Sequence, residues 1–134
     1  MIYGFEFPAF KKAEMAFIDS VMTEVVKYLD LPETYLDIFF IRSGDKSAGC
    51  MELDDMVFNI DIPKGAIRNK SELAAMVIHE MKHVEQRTLG KLEEGMTWLG
   101  KSYKGTRYED QPWEIEAYAF ENKMLKLILE KIDV

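Results

Sequence analysis

The sequence predicts an α+β fold, in which helices and strands occupy separate runs along the chain. Three amphipathic segments repeat apolar residues with helical periodicity, two of them near the ends and one in the middle. Three shorter segments, rich in β-branched and aromatic residues, lie between the first two helices. The 134 residues contain no internal repeat and no low-complexity linker, which predicts one domain over residues 1–134.

The N-terminal helix is predicted over about residues 11–29, where Phe17, Val21 and Val25 fall on one face. Pro32 follows closely, and the residue before a proline disfavours helical geometry. We therefore expect the first helix to end before Pro32 and to bury its apolar face.

Three strands are predicted at residues 35–41, 49–53 and 56–62. The third alternates apolar and other residues most regularly and stops at Pro63. A turn is expected at residues 43–45, and no crossover helix separates the strands. Short connections of this kind favour an antiparallel sheet.

The second helix is predicted to begin after Asn69, because Glu72 follows three residues later in a pattern that resembles a capping box. Gly90 suits the position just after its C-terminus.

The glycine-rich residues 92–110 predict loops with a short hairpin. Pro112 is typical of the first turn of a helix, and it opens the last one.

Charge and cysteine content exclude several classes of function. The chain has 17 basic and 24 acidic residues and a formal net charge of −7, which argues against a nucleic-acid partner. No apolar run is long enough for a membrane span, and residues 1–8 lack the features of a secretory signal. The single cysteine, Cys50, predicts a reducing compartment. We therefore expect a cytoplasmic protein with neither a nucleic acid nor a membrane as partner, and the sequence predicts no oligomeric state.

The second helix contains the motif His79-Glu80-Met81-Lys82-His83, and these are the only two histidines. Residues four apart share a helix face, so both imidazoles can reach one Zn²⁺ ion. Glu80 then lies beside the metal, where a general base for a water is needed. The competing interpretation is a pair of surface histidines next to a solvated glutamate.

A third ligand is required, because two histidines leave zinc under-coordinated. The last helix offers Glu114 and Glu116, which point about 200° apart, so only one can face the metal. Glu114 lies on the more apolar face and is preferred, with Glu116 as the alternative. Cys50 is a further alternative, since a thiolate with two histidines does occur at catalytic zinc sites.

The motif His79-Glu80-x-x-His83, followed by Glu114-x-Glu116-Ala117, resembles the short gluzincin-type zinc metallopeptidases. The segments 79–86, 98–103 and 112–118 together resemble the small zincin-like metallopeptidases encoded by bacteriophages. The resemblance implies a minimal zincin-like fold, in which a small antiparallel sheet lies over the active helix and the substrate lies along the edge strand. It also implies Glu114 as third ligand and, for a phage protein, the host cytoplasm as location.

Larger relatives carry an Asp four residues after the ligand glutamate, where this chain has Tyr118. That Asp accepts a hydrogen bond from a ligating imidazole in the family. Because ligating imidazoles nearly always donate their second N–H, we expect Glu121 or Glu85 to replace it.

Zinc-dependent hydrolysis of a peptide or protein substrate, with Glu80 as general base, is the predicted function. Such a reaction uses a donor for the developing oxyanion, and the glycine-rich segment offers three candidates: Tyr103, Arg107 and Tyr108. The preferred interpretation of these side chains is nevertheless that they pack under a long loop. The alternative is a non-catalytic binding module that keeps the fold and the metal site, because fold alone does not establish function.

Overall fold

A computed structural model describes residues 2–33, 35–44 and 47–132. In chain order these residues form β1 (Ile2–Glu6), α1 (Lys12–Val25), β2 (Tyr35–Ser43), β3 (Gly49–Asp54), β4 (Val57–Pro63), α2 (Lys70–Thr88), β5 (Leu92–Glu93), β6 (Thr97–Trp98), β7 (Lys101–Ser102) and α3 (Pro112–Ile132). The predicted α+β class is confirmed. The predicted turn at 43–45 extends beyond the described residues.

The main sheet has the strand order β1-β2-β4-β3. β1 and β4 both run parallel to β2, and only β3 is antiparallel to its neighbour β4. The prediction of a wholly antiparallel sheet is therefore wrong. After β2 the chain passes to β3 at the edge of the sheet, and β4 then returns between β2 and β3. Strands β2 and β3 are therefore consecutive in sequence but are not neighbours in the sheet.

Strand β1 was missed by the sequence analysis. It pairs in parallel with β2, from Ile2 beside Tyr35 to Glu6 beside Phe39. The intervening α1 is the crossover that parallel neighbours require. A strand of five residues with a glycine at its centre gives little periodicity, which explains why it was overlooked.

One hydrophobic core joins the even-numbered side chains of β2 and β4 to apolar residues of all three helices. Helix α1 ends slightly earlier than predicted and continues as a 3₁₀ turn over Val26–Tyr28. It buries Ile18, Val21, Met22 and Val25. Helices α1, α2 and α3 contact one another, so the packing of three helices fixes how α3 crosses α2.

Both ends of α2 follow the predicted signals. The Asn69 side chain accepts a hydrogen bond from the Glu72 N–H at 3.0 Å. Gly90 has φ +74°, a left-handed conformation that glycine adopts at little cost, and its N–H donates to the Arg87 carbonyl at 3.1 Å. These caps fix where α2 begins and ends.

The segment after α2 forms a small antiparallel sheet, β5-β6-β7. This is more regular than the predicted loops with one hairpin. Leu92 and Trp98 of this sheet pack against Trp113 at the start of α3. The small sheet therefore supports the N-terminal end of α3, which opens at Pro112 as predicted. Among the described helices, none is both long and apolar enough to cross a bilayer.

Candidate metal centre

Two histidines of α2 lie one helical turn apart and face α3. His79 and His83 are buried, and their ring centroids are 4.9 Å apart. Their Nε2 atoms approach one carboxylate oxygen of α3, Glu114 Oε1, at 2.9 and 3.1 Å. The packing of α2 against α3 thus brings His79, His83 and Glu114 together, as predicted.

The three side chains form a group that could hold a metal ion. One ligand atom from each of His79, His83 and Glu114 lies within 4.8 Å of the other two. Within the described ranges, no other group of His, Cys and carboxylate side chains meets this condition. Two imidazole nitrogens and one carboxylate oxygen suit a divalent transition metal and leave further coordination positions open.

The alternative third ligands lie outside this group. Glu116 Oε1 accepts a hydrogen bond from Gln86 Nε2 at 3.1 Å. Cys50 lies on β3 and lines a cavity beside Glu80. Burial raises the pKa of the Cys50 thiol, which disfavours the thiolate form that binds metals.

Each histidine has a second hydrogen-bond partner on its Nδ1 atom. His79 Nδ1 is 3.1 Å from Glu121 Oε1, which is the placement that the sequence analysis expected for Glu121. His83 Nδ1 is 2.7 Å from Gln86 Oε1. The sequence analysis missed Gln86, although a residue three positions after a ligand lies on nearly the same helix face.

Glu85, the other expected partner of a histidine, has a structural role instead. Its carboxylate accepts hydrogen bonds from the Asp30 N–H and from Lys82 Nζ, both at 2.6 Å. On a helix, Glu85 is rotated about 160° from His83, so it reaches the chain segment after α1 rather than the metal centre.

Glu80 is a buried carboxyl group beside the two histidines. It lines both cavities that flank the centre. Burial raises its pKa, and the charges of His83 and His79 oppose that shift without cancelling it. A carboxylate with a raised pKa is a stronger base than one in water, which suits proton transfer near neutral pH.

Tyr108 and Tyr118 complete the wall of the centre. The Tyr108 hydroxyl donates to Glu114 Oε1 at 3.1 Å and lies 3.1 Å from the Tyr118 hydroxyl. The Tyr118 ring packs edge-on against His79, with centroids 4.3 Å apart. Loss of hydration at its hydroxyl and the hydrogen bond with Tyr118 raise the pKa of Tyr108. Tyr108 is therefore a neutral hydrogen-bond donor at physiological pH.

The other two candidate oxyanion donors contact residues outside the His-His-Glu group. Tyr103 packs edge-on against Trp113, with centroids 6.1 Å apart. Arg107 is exposed and forms an ion pair with Asp110 at 3.1 Å. Of the three residues proposed from the sequence, Tyr108 alone contacts a member of the His-His-Glu group.

The centre is open on two sides. A cavity of about 350 Å³ lies on the side of His79 and Tyr118. A second, of about 230 Å³, lies on the side of His83 and Cys50. Ala48, Glu80 and Tyr108 line both cavities. An extended molecule can therefore approach the centre from either side, past Tyr108.

Glu114 and the histidines beside it affect one another's pKa values. Burial would raise the pKa of Glu114, but hydrogen bonds from His79 and His83 outweigh it and lower that pKa to about 2. Burial also lowers the pKa of His83, whereas the hydrogen bond and charge of Glu114 raise it, with a net increase. A metal cation bound at Glu114 would therefore compete with the proton of His83.

Comparison of the chain with protein-family models, curated protein sequences and solved structures finds no match.

Proposed function

We propose that this protein is a zinc metallopeptidase of the gluzincin type, in which His79, His83 and Glu114 hold the metal. The convergence of two imidazole Nε2 atoms on Glu114 Oε1, at 2.9 and 3.1 Å, carries the proposal. Two nitrogens and one oxygen from the protein, with open space beside them, match the ligand pattern of catalytic zinc sites.

A bound zinc ion supplies a Lewis acid that polarises a carbonyl oxygen and lowers the pKa of a water molecule. Glu80 accepts a proton from the attacking water and then transfers it to the amine of the leaving peptide. Its burial and its position on the shared wall of both cavities support this role.

The Tyr108 hydroxyl donates a hydrogen bond to the substrate oxygen as negative charge develops there. The same hydroxyl contacts Glu114 Oε1 at 3.1 Å. The donor is therefore already within reach of the reacting atoms, and its raised pKa keeps the hydrogen in place.

A peptide in extended conformation is the proposed substrate. β3 is an edge strand of the main sheet, and Ala48 to Cys50, at its beginning, line the cavity beside Glu80. An edge strand leaves backbone N–H and C=O groups free to pair with an added strand. This supports binding of the substrate along β3, across the metal centre.

The test combines metal analysis with a cleavage assay. Purified wild-type protein is expected to contain one zinc ion per chain and to cleave members of a mixed peptide library, as detected by mass spectrometry. Glu80→Gln should retain the zinc and lose about 10²- to 10⁴-fold in kcat, the usual contribution of a general base. Glu130→Gln, which changes an exposed carboxylate of α3, is the control and should cleave normally.

The possible outcomes separate the two candidate functions. Cleavage by Glu80→Gln at the wild-type rate would contradict the role of Glu80. A wild-type protein that binds zinc but cleaves no peptide would favour a non-catalytic binding module, and a protein without zinc would contradict the metal centre itself.

A further inference from the structure

We propose that Gln86 is a positioning residue that orients His83 and fixes the N-terminal end of α3 through one side-chain amide. The orientation of one metal ligand and the location of another would then depend on the same group. The inference rests on the proposed metal centre and not on the peptidase activity.

The Gln86 side chain is completely buried and uses both ends of its amide. Its Oε1 atom lies 2.7 Å from His83 Nδ1. Its Nε2 atom donates to the Trp113 carbonyl at 3.0 Å and to Glu116 Oε1 at 3.1 Å. A carbonyl can only accept, so the Trp113 contact determines which end of the amide faces His83.

The chemistry of these partners fixes the histidine tautomer. Because Gln86 Oε1 can only accept, His83 Nδ1 must carry the hydrogen. In the neutral imidazole, Nε2 is then the atom with the free lone pair, and it points toward Glu114. Gln86 thereby selects the tautomer that a metal ion requires at this position.

The same amide holds the third ligand in place from the backbone side. Trp113 immediately precedes Glu114 in the first turn of α3. The hydrogen bond to the Trp113 carbonyl therefore ties the segment that carries Glu114 to α2. Glu121, the partner of His79 Nδ1, lies two turns further along α3, so that contact does not hold the first turn of α3.

Nuclear magnetic resonance of the full chain, with ¹⁵N-labelled histidine and added zinc, tests the inference. The chain has only two histidines, so each imidazole is resolved. In Gln86→Met, which keeps the volume but removes all three side-chain hydrogen bonds, the Nδ1–H signal of His83 should shift and exchange faster with water. The His79 signals should stay unchanged, and the dissociation constant for zinc should rise about 10- to 100-fold.

Two further variants keep the result interpretable. Gln111→Met changes the only other glutamine, which donates to the Thr106 carbonyl, and should bind zinc like the wild type. Gln86→Glu can still accept from His83 but cannot donate to the Trp113 carbonyl. It should keep the His83 tautomer and still bind zinc more weakly, and it serves as the test if Gln86→Met does not fold.

Folded Gln86 variants with wild-type His83 signals and wild-type zinc affinity would overturn the inference alone. Equal changes at His79 and His83 would also overturn it, because they would indicate a general loss of packing. A wild-type protein that binds no zinc would overturn the proposed metal centre and, with it, this inference.

Discussion

The two buried sides of α2 differ in chemistry although they belong to the same helix. The core side contributes apolar residues to the hydrophobic core that α2 shares with the sheet and the other two helices: Leu73, Val77, Met81 and Val84. The metal side directs three polar residues toward α3: His79, His83 and Gln86. Both sides are almost inaccessible to solvent, so burial does not distinguish them.

The apolar and polar sides of α2 contribute differently to the free energy of folding. Full burial of an apolar side chain contributes about 1.5–3 kcal/mol. Burial of an imidazole or amide costs free energy that its hydrogen bonds largely offset. The core side therefore supplies most of the stability, and the proposed ligand binding accounts for the polar residues of the metal side.

The largest expected effect is a loss of stability when a core residue within the histidine motif is truncated. Met81 lies between Glu80 and His83 in sequence, yet it is fully buried in the core. Met81→Ala should lower the free energy of unfolding by about 2–5 kcal/mol, because it leaves a cavity. Denaturant unfolding of the zinc-free protein measures this, and zinc stoichiometry below the transition should stay at the wild-type value. A loss of zinc binding by the folded variant would contradict the separation of the two sides.

The next effect concerns only the metal side. Tyr108→Phe removes the hydroxyl that contacts Glu114 and should lower kcat about 10²-fold with little change in stability, as expected for loss of an oxyanion donor. Tyr103→Phe is the control, because the Tyr103 ring packs against Trp113 and away from Glu114. Steady-state kinetics on a peptide identified as a substrate gives the comparison. Equal kcat values for Tyr108→Phe and the wild type would remove Tyr108 from the mechanism.

The two sides also differ in how well the sequence predicted them. Helical periodicity and the caps at Asn69 and Gly90 were enough to locate α2, because these are local effects. The spacing of His79 and His83 follows from the same helix geometry. Glu114 was favoured over Glu116 from the apolar face of α3, and the structure places Glu114 at the histidines.

What the sequence could not predict depends on contacts between distant segments. Strand order is one case: β4 lies between β2 and β3, and no local pattern indicates that insertion. Gln86 is another, because its role appears only when the Trp113 carbonyl is next to it. Tyr108 could not be chosen over Tyr103 or Arg107 either, since the path of the glycine-rich segment decides which side chain reaches Glu114.

The smallest expected effect is a dependence of stability on pH that arises from the metal side. Glu114 has its pKa lowered from 4.5 to about 2 in the folded protein, so its contribution is complete above about pH 4.5 and is lost as the pH falls toward 2. His83 has its pKa raised above 6.5, so its contribution is complete below pH 6.5 and is lost as the pH rises through the folded value.

The zinc-free protein should therefore be most stable between about pH 4.5 and 6.5, and the stabilisation by zinc should grow as the pH rises, because the metal requires deprotonated imidazoles. Thermal unfolding from pH 2 to 8 with a chelator measures the first effect, and the same series with zinc above pH 5 measures the second. Met81→Ala should shift Tm by a similar amount throughout, since no titrating group is changed. Glu114→Gln should reduce the decline above pH 6.5, because the charge that raises the pKa of His83 is gone. A zinc-free Tm that climbs steadily to pH 8 would contradict this account of the metal side.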